Sequence, residues 1–184
     1  MLPLSIRAKA MNKQQGFTLI ELVIIIIVLG ILAAIAIPKF TNLSSDARLA
    51  SLRGMEGAMR SGANLIHSKA VIIGADKDAI TTDIDGVNMQ LHSGYPVGNW
   101  INGIRYIVNL DAINFSQSAT ICDADWCGRG NQVRLPSGIT TTQPGRIGKV
   151  YPRGYSWNDK CGVYYINHED GRPAVIGLET EDCK

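Results

Sequence analysis

Residues 22–37, LVIIIIVLGILAAIAI, carry no charged or strongly polar side chain, so no water-facing surface can be built from them. Counted from Phe17, the run is 21 residues long. As a helix at about 1.5 Å per residue it spans roughly 31 Å, close to the hydrocarbon thickness of a bilayer. A secretory signal needs only about 7 to 15 apolar residues before a small-residue cleavage site, and this run is longer. A buried core helix is also a poor fit, because a chain of 184 residues has little other apolar material to enclose the stretch 24–29 on every side. The segment is expected to lie in a membrane or in an equally apolar bundle of helices.

The flank before it carries Arg7, Lys9 and Lys13 and no acidic residue, which by the positive-inside rule holds that end in the cytoplasm. Met1 and Met11 are both candidate starts. With 46% hydrophobic and 18% charged residues over its whole length, the chain has the size and composition of one globular domain plus one extra element, and a disordered or collagenous chain is excluded. The 18 Lys and Arg nearly balance 16 Asp and Glu with no long basic run, so nucleic acid is not expected as a primary partner.

Glu21 lies early in the apolar run, where an ionisable group costs a few kcal/mol and usually marks a partner or a function. It either snorkels to the headgroups or forms a buried ion pair in an assembled state. Gly30 and Pro38 are weak points in the helix, since Gly is a poor helix former and Pro lacks the backbone donor. A kink or a locally melted stretch is expected between them.

Gly16-Phe17-Thr18-Leu19-Ile20-Glu21, followed by the apolar run and Pro38, resembles the class III signal of type IV pilins and the related pseudopilins. The resemblance implies that a prepilin peptidase cuts after Gly16 and methylates the new amino-terminal Phe17, leaving 184 − 16 = 168 residues. It also implies that the Phe17 amine of one subunit pairs with Glu21 of a neighbour, setting the register of a homopolymer. Breaking such a buried pair would leave an uncompensated charge. Other implied partners are the inner membrane, the inner-membrane pilus assembly machinery and an outer-membrane secretin. The 30–38 stretch is where helices of this family can unwind during assembly. Within the family, residues 11–23, Pro38-Lys39-Phe40, Asp46-Ala47-Arg48 and Ser68-Lys69-Ala70 are most similar to mannose-sensitive haemagglutinin pilins. That similarity implies surface attachment and biofilm initiation, with a surface glycan as a candidate partner.

Beyond Pro38 the pattern becomes amphipathic. Leu49, Leu52, Met59, Ala63, Ile66 and Ala70 recur at helical spacing opposite Arg53, Glu56, Arg60, Asn64 and His67, and Glu56 and Arg60 are a favourable i,i+4 pair. Residues 42–46 offer a point where a helix can restart. Gly54, Gly57 and Gly62 each weaken the helix by about 1 kcal/mol relative to Ala, which suggests close backbone approach to the sheet or to a neighbouring subunit. Residues 74–101 read as an irregular loop, and strands are expected at 104–110, 114–121, 161–167 and 174–179, with a turn at 168–172. The fold class is therefore α+β. A long amino-terminal helix has its apolar half protruding and its second half packed on an antiparallel sheet, as in the type IV pilin fold. The expected division is a leader over 1–16, an apolar helix over 17–43 and a head over 44–184. Within the head the helix occupies 44–73, the loop 74–101, and the sheet with a disulfide-bounded end 102–184.

Cys122, Cys127, Cys161 and Cys183 form an even set in a segment expected outside the cytoplasm, so disulfides are the default. Three pairings are open. The preferred one joins Cys122 to Cys127 and Cys161 to Cys183, each around a local unit of chain, and the second is similar to the carboxy-terminal disulfide region of many type IV pilins. Zinc spacings are absent. His67, His92 and His168 are expected at the surface, with no nucleophile motif nearby. Asp83-Ile84-Asp85-Gly86 faintly resembles a calcium loop but lacks the downstream bidentate Glu, with Asp76 and Asp78 close by. Trp100, Trp126, Trp157, Tyr151, Tyr155, Tyr164 and Tyr165 are expected to pack beneath loops rather than to stack on a sugar. No metal, cofactor or catalytic residue is nominated, and the chain is expected not to be an enzyme. The leading expectation is an inner-membrane prepilin with a periplasmic head that assembles into an extracellular fibre. Its rivals are a minor pilin or type II secretion pseudopilin with the same signal, and an anchored enzyme or sensor domain.

Overall fold

The computed structural model describes residues 17–108, 113–117, 119–141 and 146–184, without the side chains of 41, 42 and 113. The leader 1–16 with Gly16, and residues 109–110 and 118 of two expected strands, lie outside the described residues. Packing divides the chain into Met1–Leu43 and Ser44–Lys184.

One helix, α1, is assigned over Leu19–Ile72, with Pro38 inside it. Between Gly30 and Pro38, where a kink or a locally melted stretch is expected, the backbone of this single chain is helical, and it is helical over 42–46 as well, without a restart. A single proline removes one donor from the ladder, and the bonds on either side are enough to carry the helix past it.

In the second unit, the helix buries Leu52, Met55, Met59, Ala63, Ile66 and Ala70, a stripe at three- and four-residue steps. Only Met55 was not among the expected core residues. Strands β5 (Trp126–Gln132), β6 (Ile147–Pro152), β7 (Gly162–Ile166) and β8 (Val175–Glu179) are successive antiparallel neighbours, and short β4 (Ile113–Phe115) joins β5 in parallel. Val150, Val163, Tyr165 and Ile176 on one face of this sheet share a core with the helix stripe. The other face is covered as well, by a second cluster of Cys122, Cys127, Leu135, Ile147, Tyr151, Trp157 and Ile166.

Four expectations need correction. The 74–101 stretch is not an irregular loop; it holds β1 (Ile80–Ile84), β2 (Val87–His92) and β3 (Tyr95–Pro96) in a three-stranded antiparallel sheet. Asp85-Gly86 and Ser93-Gly94, all at positive φ, make the tight turns that this sheet requires. Residues 104–106 form a single 3-10 turn instead of a strand, and the strand expected over 114–121 is reduced to β4. Strands β5 and β6 were not anticipated at all, whereas β7 and β8 fall where the β-branched and aromatic runs placed them.

The small sheet is pinned to the large one by side chains from β7 and the residue after it. The fully buried Asn167 donates from Nδ2 to the carbonyls of His92, Tyr95 and Pro96, each at 3.1 Å, and the Tyr165 hydroxyl donates to Pro96 O at 2.6 Å. Of Gly54, Gly57 and Gly62, only Gly62 shows close backbone approach: a Cβ there would lie 1.9 Å from the Ile107 carbonyl oxygen. Gly54 and Gly57 have nothing within 4 Å of that position.

Candidate functional site

The helix begins at Leu19, which makes Thr18 its N-cap and Glu21 the third residue of its first turn. Thr18 donates to Glu21 Oε2 from its backbone N–H at 2.9 Å and from its hydroxyl at 2.6 Å. Glu21 returns its backbone N–H to Thr18 Oγ1 at 3.3 Å. This is a capping box, in which two amides left over at a helix start are satisfied reciprocally, while the carboxylate sits where the helix dipole favours negative charge. Thr18 therefore has a role that the signal motif alone did not assign to it. The signal was present in the sequence as Thr-x-x-Glu directly before an apolar run.

Phe17 precedes the cap and is exposed, and every residue from 17 to 35 is exposed within the single chain. The helix is long and apolar enough to cross a membrane. A helix apolar on all sides has no stable place in water, so this surface demands lipid or other apolar helices around it. The structure brings Phe17, Thr18 and Glu21 together at one end of the helix; Gly30 and Pro38 lie farther along it, inside helical backbone.

In the head, Cys122 is bonded to Cys127 and Cys161 to Cys183, and all four are buried. Between these two bridges lies a group that spacing could not reveal. Lys149 is completely buried on β6, and its ammonium donates to Trp157 O at 2.6 Å, Asp159 O at 2.8 Å and Glu179 Oε2 at 2.9 Å. Glu179 Oε1 accepts the Ser137 amide at 2.9 Å. Burial holds the Lys149 ammonium below the usual lysine range, against the opposing pull of its hydrogen bond and charge attraction to Glu179. The cluster ties two loops, those before and after β6, to the sheet, and with its donors and acceptors matched it is arranged to hold structure rather than to react.

The remaining candidates take structural places. His67 is not a free surface residue: its ring stacks on Tyr95 with centroids 4.1 Å apart. His92 Nδ1 lies 3.0 Å from Ser93 Oγ. Asp83 accepts the Gly86 amide at 2.8 Å across the β1–β2 turn, and Asp85 pairs with Lys69. The resemblance to a calcium loop is thus a hairpin turn, and no cluster of metal-ligating side chains occurs among the described residues. Trp100, Trp157, Tyr151 and Tyr165 are buried, while Trp126, Tyr155 and Tyr164 are partly buried against the cores. Glu56 and Arg60 form the expected pair at 2.8 Å, and Arg60 also donates to Ile176 O at 2.7 Å, covering the free edge of β8.

Comparison with known proteins gives the same emphasis. Residues 11–37 match the model of the prokaryotic N-terminal methylation motif. The chain is 32% identical over 124 residues to fimbrial protein Q of Moraxella bovis, covering 66% of this chain and 74% of that one. It is 36% identical over 97 residues to the type IV major alpha-pilin of the same organism, covering 52% of this chain and 60% of the relative. Over 49 residues it is 47% identical to the type IV narrow pilus major component of Thermus thermophilus, covering 27% of this chain and 42% of that protein. The matched length is thus under half of the Thermus protein and under two thirds of the alpha-pilin. No solved structure matches significantly.

Proposed function

The chain belongs to the type IV pilin family, and from that premise we propose that it is a structural subunit that polymerises into an extracellular pilus. The observation that carries this is the apolar helix exposed from residue 17 to 35 with a lone carboxylate, Glu21, at its amino end. In the membrane the helix is solvated by lipid. Withdrawn into a fibre, it exchanges lipid for neighbouring helices, and a Phe17 amine freed by cleavage after Gly16 meets Glu21 of another copy. The continuous apolar surface supplies attraction without direction, whereas the ion pair supplies register, because a slipped subunit would leave both charges unpaired in a low-dielectric core. Relatives bearing the names of major pilus and fimbrial components support a polymer of many copies.

The finer assignment we propose is a mannose-sensitive haemagglutinin-like pilin serving surface attachment and biofilm initiation. Its support is the similarity of residues 11–23 and of the segments at 38–40, 46–48 and 68–70. On this reading the subunit is held in the inner membrane with a periplasmic head, is processed by a prepilin peptidase, and leaves through the assembly machinery and a secretin. A surface glycan is its candidate ligand.

The deciding experiment is intact-mass measurement and amino-terminal sequencing of protein sheared from the cell surface. An amino-methylated Phe17 on a chain of 168 residues is the expected result, from 184 − 16. An uncleaved chain confined to membranes would remove the pilin assignment of function. Gly16→Ala should leave the precursor in the membrane, and Glu21→Ala should be cut and inserted but assemble poorly; normal piliation by either variant contradicts the role given to that residue.

A further inference from the structure

We propose that a groove on the head, between the segment 98–101, β4 and β5, binds a carboxylate-bearing sugar. Arg129 takes the carboxylate, Phe115 the apolar face of the ring, and the side-chain amides of Gln117 and Asn131 its hydroxyls. This rests on the reading of a surface glycan as the ligand, and gives that ligand a site and a charge. The groove has a volume of about 390 Å³, within the range of small-ligand sites. Of its described lining residues only Arg129 is charged.

The backbone here departs from a regular strand. The pairing of β5 with β6 shifts register between Arg129 and Gln132, and Asn131 takes a φ of 60°, a left-handed conformation uncommon outside glycine. The Asn131 N–H donates to Gly98 O at 2.8 Å, and a Cβ on Gly130 would lie 2.4 Å from Trp100 N, so the bulge is clamped against the segment 98–100. Trp100 is buried beneath the groove, whereas Phe115, paired with Gly128 across β4 and β5, is exposed. The side-chain amides of Gln117 and Asn131 have no hydrogen-bond partner among the described residues.

The cation fixes the charge of the ligand. Arg129 is half-buried, its guanidinium makes no hydrogen bond or ion pair among the described residues, and its Nε is buried without an acceptor. The guanidinium carbon stands 6.0 Å from the centre of the Trp157 ring. A partly desolvated cation left unpaired is unfavourable, and a carboxylate matches the guanidinium fork best. The uncharged amides and the phenyl ring beside it suit the rest of a pyranose, whose hydroxyls both donate and accept while its C–H face lies on an aromatic ring. A small inorganic anion would leave Phe115 without a contact, and a neutral sugar would leave Arg129 unpaired.

Sheared filaments would be titrated by saturation-transfer NMR, which reads weak ligands on large particles. The probes are sialyllactose and trigalacturonate, with lactose and galactotriose as their uncharged counterparts. At least one acidic probe is expected to bind about tenfold more tightly than its counterpart, the scale of one charge-assisted hydrogen bond, with the difference shrinking as salt is added. Preference for sialyllactose alone identifies a cell-surface glycan as the source, and for trigalacturonate alone a polysaccharide matrix; either supports the site. Arg129→Gln should abolish the preference for acid. Phe115→Ala and Gln117→Ala, both at exposed positions, should each weaken acidic and neutral sugars together by about fivefold.

Equal binding of acidic and neutral probes overturns the site and leaves the glycan reading standing. So does native affinity in both Phe115→Ala and Gln117→Ala, which decides the matter even if Arg129→Gln fails to fold. Loss of filaments in Phe115→Ala with normal cleavage also overturns it, since the groove would then be covered by a second copy. Native filaments that bind none of the probes remove the glycan reading itself, and the site with it.

Discussion

Lys149 and Glu179 are joined at 2.9 Å in the interior of the head, with neither side chain more than marginally exposed. The pair sits between β6 and β8, which are not neighbours in the sheet, and reaches around β7 on the side away from the helix. Removing either partner strands the other in a medium that cannot solvate it. Glu179→Ala should therefore destabilise the protein by about 3 to 5 kcal/mol, measured by denaturant unfolding of the full chain in detergent. Lys149→Met with Glu179→Leu should recover part of that loss and not all of it, because Ser137 N–H, Trp157 O and Asp159 O lose their partners in the double variant. The pH dependence has a definite sign. The Lys149 pKa is lower in the folded than in the unfolded chain, so unfolding takes up a proton between the two values. Stability from this group rises as pH climbs through that window toward 10.5 and is flat below it, a trend that Lys149→Met should abolish.

Asn167 holds the β2–β3 hairpin by three backbone carbonyls at once. Asn167→Ala should cost about 1 to 3 kcal/mol, with the loss concentrated in residues 80–96. Hydrogen exchange is the measurement: protection should drop in β1 to β3 while β6 and β7 keep theirs. Uniform loss across the head would mean that the small sheet unfolds together with the large one.

Gly54, Gly57 and Gly62 should divide into two classes. Gly62→Ala pushes a methyl into the Ile107 carbonyl and should destabilise by about 1 to 3 kcal/mol. Gly54→Ala and Gly57→Ala meet nothing within 4 Å and should each stabilise the subunit by up to about 1 kcal/mol. Thermal unfolding of the three variants, side by side, checks the contrast.

The two disulfides should differ in weight. Cys161–Cys183 spans 22 positions and Cys122–Cys127 only 5, so loop-closure entropy assigns about 3 kcal/mol to the first and about 2 kcal/mol to the second. Replacing each pair by Ser and comparing unfolding midpoints tests the order. Non-reducing peptide mapping tests the connectivity, and any peptide linking Cys122 to Cys183 would contradict it.

What could be known from the sequence alone was whatever is written in consecutive residues. The run 22–37 specifies an apolar helix because no other element satisfies its backbone away from water. The stripe from Leu52 to Ala70 specifies which face of the helix is buried, and the β-branched and aromatic runs at 162–166 and 175–179 specify a pair of strands. The hairpins at 80–96 were legible in their Asp-Gly and Ser-Gly turns, and the capping box in its Thr-x-x-Glu. Both signals were masked by stronger features beside them, the many turn-forming residues in one case and the processing motif in the other. Only the tertiary structure decided the rest. Strands β5 and β6, WCGRGNQ and IGKVYP, carry glycine, proline and charge and show no alternation, because the sheet they join is buried on both faces. A lysine in the middle of a strand reads as solvent-facing until the carbonyls and the carboxylate that neutralise it arrive from 8, 10 and 30 residues away. Such partners are set by which strands become neighbours, and that choice is made by burial of the whole sheet rather than by any local run of residues.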